Sequence, residues 1–561
     1  MAEKPSKVEE IKARSELLRG HLAEELADPT SETVSEEGYQ LLKFHGVYAQ
    51  DDRDQRRARK AEGRPPAYSF MVRAAIPGGI LTAEQYLAMD QAAEALGIPS
   101  LRITTRQGIQ FHGVHKTQLK PLIRTLNQHL VTTWAGCGDV ERNLTACPAP
   151  ATSGAQRAMQ ARAVELSRHL KPRSHAYVEL WMDQERVWAW EAESEPLYGP
   201  TYLPRKFKTG ITLAGHNCID VYSQDIGIVA HPTPSGEGIE AYTILAGGGL
   251  GKSHGVAATH PALAQVLGEI SEDRLVAAVE AIVTVQRDFG NRSDRKYARM
   301  KYLIESWGIE RFRQVVEERM GFRFLPSRPL SWEALDDHLG WHPQDGEQGF
   351  LGLWIENGRI VDTAAVKLRT GLREVVARYR PGVRLTPQQN LLLTDLRQAD
   401  LAKVEAILAE YGVEPRAHRL PPVLRHAMAC PALPTCGLAL TEAERVFPDV
   451  LRALSRECER LGLSDQPISV RMTGCPNNCA RPFTAEIGLV GRGPGRYNIY
   501  LGGTQSGTRL GELWKDGVAL AELVPTLAPL LQAYALGRRA GESFGDWYQR
   551  EGAQALAALK V

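Results

Sequence analysis

Apolar positions along this chain follow two rhythms, and their succession is repeated. The stretch SLRITTRQGIQFHGVHKTQLKPLIRTLNQH at 100–129 shows a short alternating run, a turn, a second alternating run and then apolar residues at helical spacing. GVRLTPQQNLLLTDLRQADLAKVEAILAEY at 382–411 shows the same succession. Just upstream, FMVRAAIPGGILTAEQY and LGLWIENGRIVDTAAVKL each predict a strand, a glycine-containing turn and a helix. Two β-α-β-like units with antiparallel strands, far apart in sequence, are therefore expected to join in one pseudo-symmetric domain. A weaker echo follows. Residues 218–250 end a strand pattern in a glycine run, and residues 484–503 do much the same. This predicts two related α/β modules, at about 150–340 and 420–540, with a ligand on the pseudo-twofold axis.

The 561 residues exceed what one hydrophobic core can hold and imply several domains. Lys plus Arg number 67 against 66 Asp plus Glu, so no global basic field for nucleic acid exists. The N-terminus lacks the apolar core of a secretory signal, and its early acidic residues argue against a transit segment. The apolar stretch Val518 to Leu536 carries Glu522, Pro525 and Pro529 between charged flanks, and reads as packed helix and turn rather than a lipid span. A soluble, cytoplasmic protein without membrane or nucleic-acid partners is expected. The basic run at 53–64 reads as part of a solvated helix or an arm wrapping the body.

Eight cysteines in so long a chain are no disulfide scaffold. Four of them group as Cys430-x5-Cys436 in MACPALPTCGLALTEAER and Cys475-x3-Cys479 in MTGCPNNCARPFTAEIGLVG. Four soft thiolates in two close pairs suit a zinc ion or an iron–sulfur cluster. Structural zinc usually takes x2 or x4 knuckles, so the x5 and x3 spacings favour the larger cluster; unliganded buried cysteines are the remaining reading. Nearby prolines and glycines leave amides free to donate to sulfur.

With these segments in view, the chain resembles the hemoprotein subunits of assimilatory sulfite reductase, within the siroheme-dependent sulfite and nitrite reductase family. The resemblance runs from LLRGHLAEEL through FHGVYAQDDRD to GESFGD. It implies an α+β fold of mixed α/β modules, a pseudo-twofold duplication with ferredoxin-like half-domains and two siroheme/iron–sulfur domains. The expected division is a charged arm at 1–66, half-domains at 67–149 and 341–419, and α/β domains at 150–340 and 420–561, the last carrying the cysteines. The resemblance further implies a 4Fe–4S cluster on Cys430, Cys436, Cys475 and Cys479, with Cys479 also the proximal ligand of siroheme iron. The implied activity is six-electron reduction of sulfite to sulfide.

Sulfite's oxygens must be held and protonated, which suits arginine forks and lysine ammonium groups. Arg73, Arg142, Lys206 and Lys208 match the family's active-site cations, and Lys206 and Lys208, one residue apart, are expected to share a strand face. Siroheme is rich in carboxylates. Arg102, Arg106 and Gln110, read as sharing one strand face, and the cluster Asn291, Arg292, Arg295, Lys296, Arg299 and Lys301 are its expected contacts; the close bacterial pattern has lysine where Arg299 stands. AGGGLGKS at 246–253 loosely matches a phosphate-binding loop, but it begins with Ala246 in place of glycine and lacks a suitable acidic strand. In some family members a cysteine and a tyrosine at positions like Cys137 and Tyr48 form a thioether crosslink, although closer bacterial relatives lack that cysteine.

Nitrite reduction to ammonia with the same cofactors is the alternative activity, although LPTCGLALTEAER resembles the sulfite enzymes more. An iron–sulfur electron carrier is the non-enzyme alternative, and it leaves the basic residues without a task. The chain shows no persuasive flavin or NADPH signature. The resemblance therefore implies a protein electron donor, either an NADPH-dependent flavoprotein or ferredoxin.

Overall fold

The computed structural model describes residues 4–173, 179–182, 185–189, 195–333, 337–344 and 346–558. Each strand–turn–strand–helix unit read above, with the strand upstream of it, forms part of one of two symmetric five-stranded antiparallel sheets. In the first, Val47–Asp51, Tyr68–Arg73, Ile109–Val114 and Leu101–Ile103 lie side by side, and Arg359–Ile360 completes the edge. In the second, Gly340–Pro343, Gln348–Leu353, Leu391–Arg397 and Gly382–Leu385 lie side by side, and Ile80–Leu81 completes the edge. The halves thus exchange their two-residue strands. Glycine permits the tight turn before each: a Cβ on Gly79 (φ +73°) would lie 2.4 Å from Leu385 O, and one on Gly358 (φ +72°) 2.6 Å from Ile103 O.

Helices Ala83–Ala95 and Leu368–Tyr379, each following an exchanged strand, pack against one another. Thr82 caps the first with a reciprocal capping box. Asp90, fully buried, accepts from Arg369 Nε at 2.5 Å and pairs with Arg373.

The two α/β modules repeat a second pattern. Thr145–Ala146, Thr209–Leu213 and Ile226–Pro232 run parallel, followed by antiparallel Ile239–Ala246 and Gln265–Ser271. Met428–Ala429, Val470–Thr473, Ile487–Gly493, Arg496–Leu501 and Glu512–Ala519 reproduce that order. Parallel strands buried on both faces explain the near-continuous apolar runs in each. Helix Leu523–Gly537 is, with the turn before it, long and apolar enough to cross a membrane. Its Leu523, Leu527, Leu530, Leu531 and Tyr534 are buried in the core of the second module, as expected for packed helix.

The N-terminal arm is structural. Ile11, Leu18, Leu41 and Phe44 belong to the main core, and Val47–Asp51 is an edge strand of the first sheet. Of the basic run, helix Arg56–Ala61 has no buried residue.

Candidate functional site

Cys430 directly follows strand Met428–Ala429, while Cys475 and Cys479 lie in the loop after Val470–Thr473. The two loops meet: Gly474 N donates to Cys430 Sγ at 3.3 Å, and Asn477 Nδ2 donates to Cys475 Sγ at 3.4 Å. Burial and the neighbouring sulfurs push the thiols of Cys430, Cys436 and Cys475 up, Cys475 to about 12. These three thiols therefore need a cationic metal to displace their protons. Among the described residues, the group of three such ligands whose donor atoms all lie within 4.8 Å is Cys147, Cys218 and His338; the four cysteines form no such group.

The loop is clamped from outside its own module. Arg53 Nη1 donates to Cys436 O at 3.1 Å and to Ala439 O at 2.5 Å, and Arg53 N donates to Pro434 O at 3.2 Å. Arg102 Nη2 donates to Ala429 O at 2.8 Å, and its Nε pairs with Glu444 at 3.0 Å. Glu444 also accepts from Arg359. Thr105 Oγ1 donates to Cys479 O at 3.0 Å. The glycine run 247–251 packs on the same loop: Lys252 N donates to Pro476 O at 3.0 Å, and a Cβ on Gly251 would lie 2.8 Å from Asn477 O. That close approach is the work of the run that loosely resembles a phosphate loop.

Cys479 is exposed, and Lys208 lies within its electrostatic reach. Lys206 and Lys208 flank Phe207, which is buried and bridges to Glu141, so the two lysines share the opposite side of an extended segment before Thr209–Leu213. Neither ammonium has a hydrogen-bond or ion-pair partner among the described residues. Burial pushes Lys208 down to about 7, helped by Arg106 and Arg299, while Asp225 and Cys479 oppose the shift. Burial, then Arg205, Arg142 and Lys208, pushes Lys206 well below the usual lysine range. Arg142 donates to Gly138 O at 3.2 Å and reaches the Tyr48 hydroxyl at 3.5 Å. Arg73 Nη1 donates to Cys137 Sγ at 2.9 Å. Tyr48, Cys137, Arg73 and Arg142 thus form one cluster.

Arg73, Gln110, Arg102 and Arg359 are register partners on four adjacent strands and make a polar row across one face of the first sheet. The single strand expected for Arg102, Arg106 and Gln110 is instead a hairpin. Gln107 adopts φ +54°, Thr104 Oγ1 accepts from Gly108 N at 3.0 Å, and Arg106 falls in the turn. There Arg106 donates to Gln224 Oε1 at 2.7 Å and Asn143 O at 2.6 Å.

The second basic cluster is largely neutralised inside the chain. Arg299 grips Asp225 through three contacts of 2.8–3.1 Å. Lys301 holds the carbonyls of Gly249 and Gly251 at 2.8 and 2.9 Å, and so shapes the glycine run. Arg295 pairs with Asp139 at 2.7 Å, and Arg292 pairs with Glu9. Burial would raise Asp139, but Arg295 and Lys12 hold it well below the usual carboxylate range. Lys296 is exposed, and exposed Asn291 lines, with Arg292, Tyr297 and Tyr302, a separate surface cavity of about 660 Å³.

Sequence reasoning missed Arg53, Glu444, Glu141 and His112. Glu141 accepts from both the amide and the hydroxyl of Thr209, at 3.0 and 2.9 Å, and thereby anchors the residue after Lys208. His112, two residues beyond Gln110, has both ring nitrogens buried without a partner, as are Gln110 Oε1 and Arg73 Nε. Orphaned buried polar atoms cost about 1–3 kcal/mol each. Grouped on one face of the first sheet, with Arg73 opposite Gln110, they suit a bound polar group such as a carboxylate-rich tetrapyrrole.

The chain matches two family models. Residues 164–324 match the nitrite and sulphite reductase 4Fe–4S domain, and residues 62–129 and 342–411 each match the nitrite/sulfite reductase ferredoxin-like half domain. The last two segments are the duplicated units of the paired sheets, and the first lies in the leading α/β module. Relatives described as sulfite reductase (NADPH) hemoprotein beta-component include those of Staphylococcus saprophyticus, 42% identical over 98% of this chain and 96% of the relative, and Geobacillus kaustophilus, 44% over the same shares. That of Xanthomonas campestris is 44% identical over 98% and 97%. The solved structure of the Mycobacterium tuberculosis NirA protein aligns with a TM-score of 0.79 over 99% of this chain and 98% of that one, at 23% identity, and shares the fold.

Proposed function

The chain belongs to the nitrite and sulphite reductase family, and from that premise we propose that it is a sulfite reductase, an oxidoreductase that reduces sulfite to sulfide with six electrons. The observation that carries this reading is the opposition of two features: a cysteine quartet, and unpaired Lys206 and Lys208, with Lys208 within electrostatic reach of Cys479.

Cys430, Cys436, Cys475 and Cys479 hold a 4Fe–4S cluster in this reading, and Cys479 also ligates siroheme. Gln110, His112 and Arg73, with their orphaned atoms, face the siroheme. Bound there, these groups would supply the electrons and the redox-active iron. The remaining chemistry falls to the chain. Arg73 and Arg142 present guanidinium forks that orient sulfite oxygens. Lys206 and Lys208 place charge where negative charge develops, and burial, which lowers their pKa and so raises their acidity, suits them to give protons to departing oxygen. Arg102, Arg106 and Arg299, each bound to protein partners, shape the walls.

The test is the purified protein's absorption, acid-labile sulfide and kcat/KM for sulfite and nitrite. Siroheme bands with higher kcat/KM for sulfite are expected. A clear excess for nitrite turns the assignment to ammonia formation, and a lone cluster spectrum turns it to an electron carrier. Electrons come from a protein donor in the cytoplasm. The printed descriptions of the relatives favour an NADPH-dependent flavoprotein, and a parallel assay with ferredoxin separates the two donors.

Tyr48 and Cys137 carry a second proposal, a thioether crosslink formed with loss of two hydrogens to dioxygen. Both residues adjoin Arg142 electrostatically. A Tyr48–Cys137 peptide pair lacking two hydrogens in mass is the expected finding; two unlinked peptides of full mass refute it.

A further inference from the structure

The pseudo-twofold that relates the two α/β modules also relates their cysteines. Cys147 directly follows Thr145–Ala146 as Cys430 directly follows Met428–Ala429, within the shared letters ACPA. Cys218 precedes strand Ile226–Pro232 by the same interval that separates Cys479 from Ile487–Gly493. Between them, Asp220 (φ +51°) and Arg481 (φ +55°) occupy matching left-handed positions, each before a 3-10 turn. The surroundings match as well. Arg102 lies within electrostatic reach of Cys430 and Arg384 within reach of Cys147. Thr105 holds the carbonyl of Cys479, and Gln388 Nε2 holds that of Cys218 at 2.8 Å.

At this mirrored place a histidine joins the thiols. Cys147 and Cys218 are buried, His338 Nε2 lies 3.7 Å from Cys147 Sγ, and the three donor atoms all fall within 4.8 Å of one another. The backbone is built around the histidine: His338 takes φ +56°, and only glycine fits beneath it, since a Cβ on Gly352 would lie 1.9 Å from His338 O. Two sulfurs and an imidazole at this separation are the donor set of a mononuclear zinc site with one exchangeable position.

We propose that Cys147, Cys218 and His338 form a second metal site, distinct from the four-cysteine centre, that binds one zinc ion. Binding releases the two thiol protons, and two thiolates neutralise the dication, so no net charge is buried. The ion ties the end of Thr145–Ala146, the loop before Asp220 and the segment entering Gly340–Pro343. It thereby fastens the first α/β module to the second antiparallel sheet. Gln388, which holds Cys218, also accepts from Arg481, two residues beyond Cys479, so the site lies one side chain from the backbone of the cluster loop.

The inference does not depend on the proposed reaction, and its test does not read activity. Holoenzyme with full iron and acid-labile sulfide is equilibrated with zinc sulfate, desalted and assayed for zinc and iron per chain. The zinc absorption edge is then recorded. One zinc per chain is expected, with a sulfur shell at about 2.3 Å and a nitrogen at about 2.0 Å. In Cys218→Ala and His338→Ala, retained zinc should fall about tenfold or more while iron is unchanged. Zinc lost on desalting, a shell of oxygen and nitrogen alone, or equal retention by both variants overturns the proposal. Should Cys218→Ala fail to fold, the wild-type sulfur shell decides. Low iron in the wild type would instead point to the four-cysteine reading, because empty cluster cysteines also take zinc.

Discussion

Lys208, pushed down to about 7 by burial beside Arg106 and Arg299, carries only part of its charge at neutral pH. An anion arriving beside it draws the proton back. Its folded pKa lies below the ordinary lysine value, so its charge is complete only well below pH 7 and is lost as pH rises through that value. The kcat/KM for sulfite is therefore expected to fall above about pH 7. Lys208→Arg should move that fall to higher pH, because guanidinium stays charged. Lys208→Ala should lower kcat/KM by about 10²–10⁴ and flatten the limb. A pH–rate profile of the three proteins checks this. The same lysine bears on stability with the opposite sign: between about 7 and its unfolded value the unfolded chain binds more protons, so stability from this group rises with pH in that window.

The cysteine loops are the element on which the centre depends, and Arg53 holds one of them from the other end of the chain. Charge-assisted hydrogen bonds of this kind contribute about 1.5–3 kcal/mol. Arg53→Ala is expected to free the carbonyls of Cys436 and Ala439 and to speed loss of acid-labile sulfide in air, with little change in secondary structure by circular dichroism. At this scale the sequence was legible where the information is local. The x5 and x3 cysteine spacings, the paired lysines around Phe207 and the strand–turn–strand–helix units could all be read from neighbouring letters. Arg53 was not, because its partners lie 383 and 386 residues away and no periodicity encodes them. Arg299 and Arg295 were read as facing a ligand, since nothing near them announces Asp225 or Asp139. The turn between the two strands was read, but its place was not: Arg106 was put on a strand face, because the left-handed residue is Gln107 rather than glycine.

Across the whole molecule the modules meet at a buried charge cluster. Asp220 accepts from Arg471 at 3.3 Å and forms an ion pair with Arg481, its own symmetry equivalent. All three are buried. Asp220→Ala would leave two guanidinium groups without their counter-charge, which costs about 3–5 kcal/mol. A lower denaturation midpoint in urea is expected, and Asp220→Glu should recover part of it. The same reasoning applies to Asp90→Ala between the two symmetric helices. The duplication itself was visible in the letters. The trading of Ile80–Leu81 for Arg359–Ile360 was not, because two-residue strands carry no pattern.

That trade has a practical consequence. A sheet whose last strand is lent by its twin is incomplete when cut out: either half expressed alone would present a raw hydrogen-bonding border and an unsheltered helix. Two copies of one half could cover these only by lending strands to each other, so each half is free to differ in chemistry but bound to its sibling in shape.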